Sequence, residues 1–241
     1  MATELSLDRV LQNIKDPHRW TDPEIILQVL ESTPSVRGMV YGNLAEVQLS
    51  RWLVDNGVPL ENQLRDDDHA KTKSDRTIIH QGRRYTIQVK SMQTGSIKEN
   101  GAGRFRAGIQ CDGSDRRRVT LPNGHHVETT NYVAGEFMVL ATPLHPFTQR
   151  WDFAFRLNST LDRTTSAKYA PEDRPYLLKT MVPISWPLEN PWTTELFELL
   201  ADTPDLGDVV TTGYGPEPGL VRAPGTEGTV EISDPDEKRL F

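Results

Sequence analysis

Lys73-Ser-Asp-Arg-Thr-Ile-Ile-His-Gln-Gly-Arg-Arg-Tyr-Thr-Ile-Gln-Val-Lys-Ser91 is the stretch that decides the fold. Two β-prone runs, Ile78 to His80 and Tyr85 to Lys90, flank Gln81-Gly82, a pair suited to a tight turn. Alternate side chains of a strand share a face, so Tyr85, Ile87 and Val89 point one way and Thr86, Gln88 and Lys90 the other. The first set suits a core. The second leaves an amide and an ammonium side by side on a strand that otherwise reads as interior. Asp75 precedes the first strand, so the hairpin carries its carboxylate back towards Gln88 and Lys90. A carboxylate, an amide oxygen and a lysine on one sheet face can hold a hard divalent cation and a water beside a phosphate.

Upstream, Arg37 to Gly57 reads as a helix closed by its glycine. At helical spacing Glu46 lies on the side of Gly42, Leu49 and Leu53, and a carboxylate on such an apolar face calls for a partner.

Asp75, twelve intervening residues and then Gln88-x-Lys90 resemble the PD-(D/E)xK nuclease signature, in the variant with Gln in place of the second acid. Ser74 stands where that signature has proline, a position that supplies no ligand. Glu46 matches the glutamate that the family carries on its N-terminal helix, and the likeness spans roughly residues 36 to 156. The resemblance implies an α/β fold of mixed α+β type, a restriction-endonuclease-like core with a central mixed sheet of four or more strands and helices packed against it. It implies Mg2+, with Mn2+ able to take its place, held by Asp75, Gln88 and Glu46, and Lys90 orienting the attacking water. The expected activity is hydrolysis of double-stranded DNA, as in type II restriction endonucleases, by a homodimer that cuts a palindrome. The alternatives are a structure-specific repair or recombination nuclease and a catalytically silent DNA-binding module of the same fold.

Net charge is −7 over 241 residues, which at first opposes a DNA partner. Its distribution removes the objection. From Ala201 onward nine acids face three bases, so the tail carries −6 and the remainder about −1. Between Lys90 and Arg118 seven bases outnumber three acids. Lys98, Arg104, Arg106, Arg116, Arg117 and Arg118 are therefore the candidate DNA-binding residues, on an inserted basic loop of about 91–127. Cys111 is the lone cysteine, which excludes an intrachain disulfide and a cysteine-rich zinc cage. No apolar run approaches the ~20 residues of a membrane span, and the start is unlike a signal peptide, so a cytoplasmic, membrane-free protein is expected.

The remaining elements divide the chain into a helical segment 1–35, a nuclease domain 36–200 and an acidic tail 201–241 expected to be disordered. Leu5 to Ile14 is amphipathic, and Thr21-Asp22-Pro23-Glu24 opens a helix through Leu30. Gly95 to Gly113 reads as a Gly-rich connection, and Pro122-Asn-Gly124 as a hairpin turn. Phe137 to Ala141 and Trp151 to Phe155 read as strands, Pro171 to Thr180 and Pro191 to Leu200 as short helices. Asp66 to Asp68 reads as a hydrated loop, His125 and His126 as a surface pair, and Trp151, Trp186 and Trp192 as core. Cys111-Asp112 lacks the partners of a nucleophile.

Overall fold

A computed structural model describes residues 23–65, 74–101, 103–201 and 203. The expected helix at Leu5–Ile14, the Asp66–Asp68 loop and, apart from Ala201 and Thr203, the acidic tail lie outside them. Two helices open the described chain, α1 (Pro23–Ser32) and α2 (Pro34–Asp55). Pro34 sits at the start of α2, where a missing N–H costs nothing. Gly57, at φ +88°, ends it, and Val58 N–H returns to Leu53 O at 2.8 Å. Ala45, Leu49 and Leu53, spaced by four, are the buried residues of α2, whereas α1 buries none.

The strands are β1 (Gln63–Arg65), β2 (Arg76–His80), β3 (Arg83–Val89), β4 (Lys98–Glu99) and β5 (Phe105–Gln110). They continue with β6 (Asp112–Thr120), β7 (His126–Asn131), β8 (Val139–Pro143), β9 (Phe153–Leu157) and β10 (Met181–Trp186). A one-turn helix α3 (His145–Thr148) joins β8 to β9, and α4 (Leu196–Ala201) comes last.

The main sheet runs β1-β2-β3-β8-β9, parallel at β3–β8 and antiparallel elsewhere. It is the mixed sheet with helices against it that the sequence predicts. The β2–β3 turn is Gln81-Gly82 with φ of +51° and +75°, the mirror-image geometry that matches strand twist. One sheet face carries Ile78, Tyr85, Ile87 and Val89 and meets Leu49 and Leu53 of α2 and Leu196 of α4. Each such fully buried aliphatic side chain is worth about 1.5–3 kcal/mol.

The other face contradicts the expected inserted loop. Residues read as a Gly-rich connection form β4, β5 and the first two residues of β6. β10, β5 and β4 make a second sheet, and Ile109, Val182 and Ile184 pack with Leu140 and Ala154 of the main sheet. Strand character there comes from pairing with β10, distant in sequence, which a local reading cannot see. β6 and β7 form the hairpin expected around Pro122-Asn-Gly124. Pro171 to Thr180 holds a single 3-10 turn, Arg174–Tyr176, instead of a helix. Leu177 and Leu178 bridge to Val133 and Arg163, so the chain is extended there. The last helix starts only at Leu196 because Thr193 pairs with Phe155. Among the described residues no helix is long and apolar enough to cross a membrane.

Candidate active site

Strand pairing places the candidate site at the C-terminal end of β3. Arg76 faces Ile87, which puts Asp75 beside Gln88. Asp75 N–H donates to Ile87 O at 3.0 Å, and Val89 N–H donates to Asp75 Oδ2 at 2.7 Å. Gln88 Nε2 donates to the same Oδ2. The carboxylate is thus held by the backbone of the strand that carries the amide. Gln88 itself is 2% exposed, on the sheet face turned away from α2.

Lys90 follows at the strand end, its N–H bonded to Ala141 O of β8 at 2.9 Å. Its ammonium lies 5.6 Å from the centre of the Tyr132 ring, and the Arg117 guanidinium lies 5.8 Å from the same ring. The sequence reading missed Tyr132. Nothing local marks it, because Asn131-Tyr132-Val133 reads as ordinary strand. Burial pushes the Tyr132 phenol far above its ordinary value, and the Asp75 charge adds to the rise.

Glu46 sits half-buried on α2, one turn before Ser50 on the same flank. Ser50 Oγ donates to Gln63 Oε1 at 2.7 Å, and Arg76 Nη1 donates to that oxygen at 3.3 Å. This flank therefore faces Gln63 of β1 and Arg76 at the start of β2. Among the described residues no three His, Cys, Asp or Glu side chains gather as a metal cluster. The candidate donors are two carboxylates and one amide, an oxygen set of the kind hard cations take. Asp75 Oδ1 and Gln88 Oε1 are the atoms of that pair outside the mutual hydrogen bond.

Cys111 joins the neighbourhood as an inert group. It is fully buried, and burial pushes its thiol up to about 12, with Lys90 opposing and Asp112 and Asp75 reinforcing the rise. A thiol so protonated is no nucleophile. His125 and His126 stay on the hairpin rim. His125 Nδ1 meets Asp173 Oδ1 at 2.8 Å, and Asn123 donates to that oxygen at 2.9 Å. The Asn123 bond leads the effects that hold the Asp173 carboxyl below its ordinary range.

The candidate DNA-binding residues separate into two kinds. Lys98, Arg104, Arg106, Arg116 and Arg118 are exposed. Lys98 and Arg106 are direct partners across β4 and β5, two like charges facing each other. Arg104 meets Glu189 at 3.5 Å, both well exposed, beside a polar cleft of about 300 Å3 that also includes Arg106 and Trp186. Arg117 does not belong with them. Its guanidinium is 4% exposed and paired through both terminal nitrogens with Glu136, which also accepts Val133 N–H at 2.7 Å. Alternation along β6 turns Arg117 inward between its two exposed neighbours.

No family model and no curated protein matches the chain. Among solved structures, a bacterial homing endonuclease superposes on 58% of this chain and 87% of its own, at 16% identity and a TM-score of 0.32. A superposition so loose does not establish a shared fold.

Proposed function

We propose that the protein is a metal-dependent endonuclease that hydrolyses phosphodiester bonds of double-stranded DNA, most simply in the manner of a type II restriction enzyme. The observation that carries the reading is the Asp75–Gln88 contact on the sheet face that ends in Lys90. A buried amide and a backbone-held carboxylate beside a strand-end ammonium form an arrangement with a chemical use and little packing value.

Asp75, Gln88 and Glu46 would hold Mg2+, or Mn2+ in its place. When bound, the ion would lower the pKa of a water and neutralise charge on the phosphate. Asp75 keeps its position through Val89 N–H, so the carboxylate needs no reorganisation on binding. Gln88 contributes no charge, which leaves the site less anionic towards an approaching phosphate. Lys90 donates to the attacking water and orients its oxygen towards phosphorus. The attacking water gives up a proton to solvent, the new P–O bond forms as the bond to the leaving oxygen breaks, and that oxygen takes up a proton from solvent. Tyr132 gives the Lys90 ammonium a resting surface beside the site.

The exposed bases supply the backbone contacts. Lys98 opposite Arg106 is unfavourable in isolation, and a phosphate between them relieves the repulsion. Arg116 and Arg118 present a second set on the outer face of the β6–β7 ribbon, a shape that a major groove admits. The test is cleavage of supercoiled plasmid with Mg2+, with EDTA, and with Asp75→Asn. Mg2+-dependent cutting lost in Asp75→Asn is the expected result, and discrete fragments distinguish sequence-specific from structure-specific cutting. Tight DNA binding without cutting under any divalent ion would instead identify a silent binding module.

A further inference from the structure

The cleft of about 300 Å3 opens at the end of the second sheet, where β10 stops and β5 starts. Trp186 and Phe105 are direct partners there, and Arg106 faces Ser185 one position along. Alternate residues take opposite faces, so a cleft lined by all four wraps round the end of the ladder. Phe147 stacks on Trp186 with ring centres 5.6 Å apart and planes 10° from parallel, and it meets Phe105 at 5.8 Å. Phe147 does not line the cleft, so it supports the aromatic wall from behind. This place is separate from the Asp75 site. The antiparallel bridge of Met92 with Ile109 brings Lys90 to the Gln110 end of β5, and Phe105 is at the other end. Five residues at ~3.3 Å each put roughly 17 Å between the two ends.

The polar side of the cleft carries two cations and one carboxylate, Arg104, Arg106 and Glu189, all exposed. A tight turn presents Arg104, its N–H bonded to Gly101 O at 2.8 Å and its carbonyl accepting Asn100 N–H at 2.7 Å. Arg104 Nη2 lies 3.5 Å from Glu189 Oε1. Between side chains so exposed, such a pair contributes little to stability. Side by side, however, the two groups form a row of donor, acceptor, acceptor. The edge that answers it reads acceptor, donor, donor. Among the DNA bases guanine alone has that edge, as O6, N1–H and N2–H. Thymine matches two positions of the three, and adenine and cytosine begin with a donor against the guanidinium. In a duplex the guanine edge is occupied by cytosine, so the base that fits is an unpaired one.

We propose that this cleft binds one unpaired guanine nucleotide, with the base on Trp186, its edge on Arg104 and Glu189, and its phosphate on Arg106. An aromatic face accepts any base, so Trp186 supplies affinity and the Arg104–Glu189 row supplies choice. The volume lies at the small end of the ~300–1,000 Å3 of ligand pockets, room for one base and not for a run of them. Glu189 repels a bare polyanion, and the aromatic wall has no use for one. The nucleotide is either free or bulged out of a strand, and the recognition chemistry is common to both. The inference does not depend on hydrolysis at Asp75.

The test is calorimetric titration of the full chain, without divalent metal, with dGMP, dAMP, dCMP and dTMP, none of which has an internucleotide bond to cut. Saturable binding of dGMP, at least ~10-fold tighter than that of the other three, is the expected result. Glu189→Gln should abolish that preference without weakening the other three nucleotides, whereas loss of a merely structural carboxylate would weaken all four alike. Trp186→Ala should weaken dGMP about 5–150-fold. Should that variant not fold, Arg104→Ala, on an exposed side chain, replaces it and should lose the guanine preference. A duplex with one bulged guanine, set against the same duplex fully paired, distinguishes the sources. Tighter binding of the bulge identifies a nucleotide within a strand, and dGMP binding without that difference identifies a free one. No saturable binding of dGMP and no preference for the bulge together overturn the proposal. Equal affinity for all four bases, or a guanine preference that survives Glu189→Gln or Arg104→Ala, also overturns it. Plasmid cleavage reports on Asp75 separately, so failure here leaves that reading standing.

Discussion

The carboxylate of Asp75 accepts the backbone N–H of Val89 at 2.7 Å across the β2–β3 pair. The residue proposed to ligate the ion is therefore held by the strand that delivers Gln88 and Lys90, and its position is a property of the hairpin. Asp75→Asn keeps an oxygen for Val89 and removes the charge. Cleavage should fall by more than the ~10–100-fold that loss of an outer partner costs a metal site. Asp75→Ala should add about 1 kcal/mol of destabilisation through the orphaned N–H. Cleavage at the wild-type rate in Asp75→Asn would remove Asp75 from the chemistry.

Gln88→Glu sets a second carboxylate against Asp75. Without metal the two repel and one holds its proton, so the variant should melt below wild type. Added Mg2+ should raise its melting temperature more than it raises that of wild type, since binding to the native state stabilises it. Identical melting shifts in the two proteins would mean that position 88 does not touch the ion.

Arg116, Arg117 and Arg118 should respond differently to alanine. Arg117→Ala leaves Glu136 buried without its cation, a loss of about 3–5 kcal/mol. Arg116→Ala and Arg118→Ala should barely change stability and should each lower the salt slope of DNA binding by roughly 0.9. Denaturant melts and binding titrations over a range of salt separate the two effects. An Arg117→Ala protein as stable as wild type would contradict the buried pair.

Lys98→Ala removes one of two like charges facing each other across β4 and β5. The free protein should gain a few tenths of a kcal/mol while its DNA affinity falls. Unchanged affinity would take this face out of the DNA contact.

Alkaline pH tests the neighbourhood of Cys111. Its thiol moves from an ordinary value of 9.0 up to about 12 on burial. Below the first value both states hold the proton. Between the two the unfolded chain releases it and the native state does not, so stability falls as pH rises, by about 1.4 kcal/mol per unit at most. Cys111→Ala should flatten the stability curve between about pH 9 and 10, before tyrosines contribute. Curves of equal slope for wild type and variant would show the thiol to be solvated.

The amino-acid sequence by itself determined the β2–β3 hairpin, the long helix and the β6–β7 hairpin. Each is written in a local period or turn: Ile87 and Val89 alternate with Gln88 and Lys90, Leu49 and Leu53 repeat by four, and Gly57 and Gly82 take positive φ. The adjacency of Asp75 and Gln88 was legible for the same reason, since a two-residue turn sets strand register. What covers each face was decided only in three dimensions. Arg117 is identical in local sequence character to Arg116 and Arg118, yet Glu136 arrives to neutralise it and Tyr132 to pack beside it. Residues 98–110 become strands because β10 pairs with them. Val40, Leu44, Val47 and Val54 of α2 are apolar like Leu49 and Leu53 yet stay exposed, because no sheet lies against them. Period and turn chemistry act between neighbours in the chain, whereas burial and charge pairing depend on which distant residue fills the space opposite.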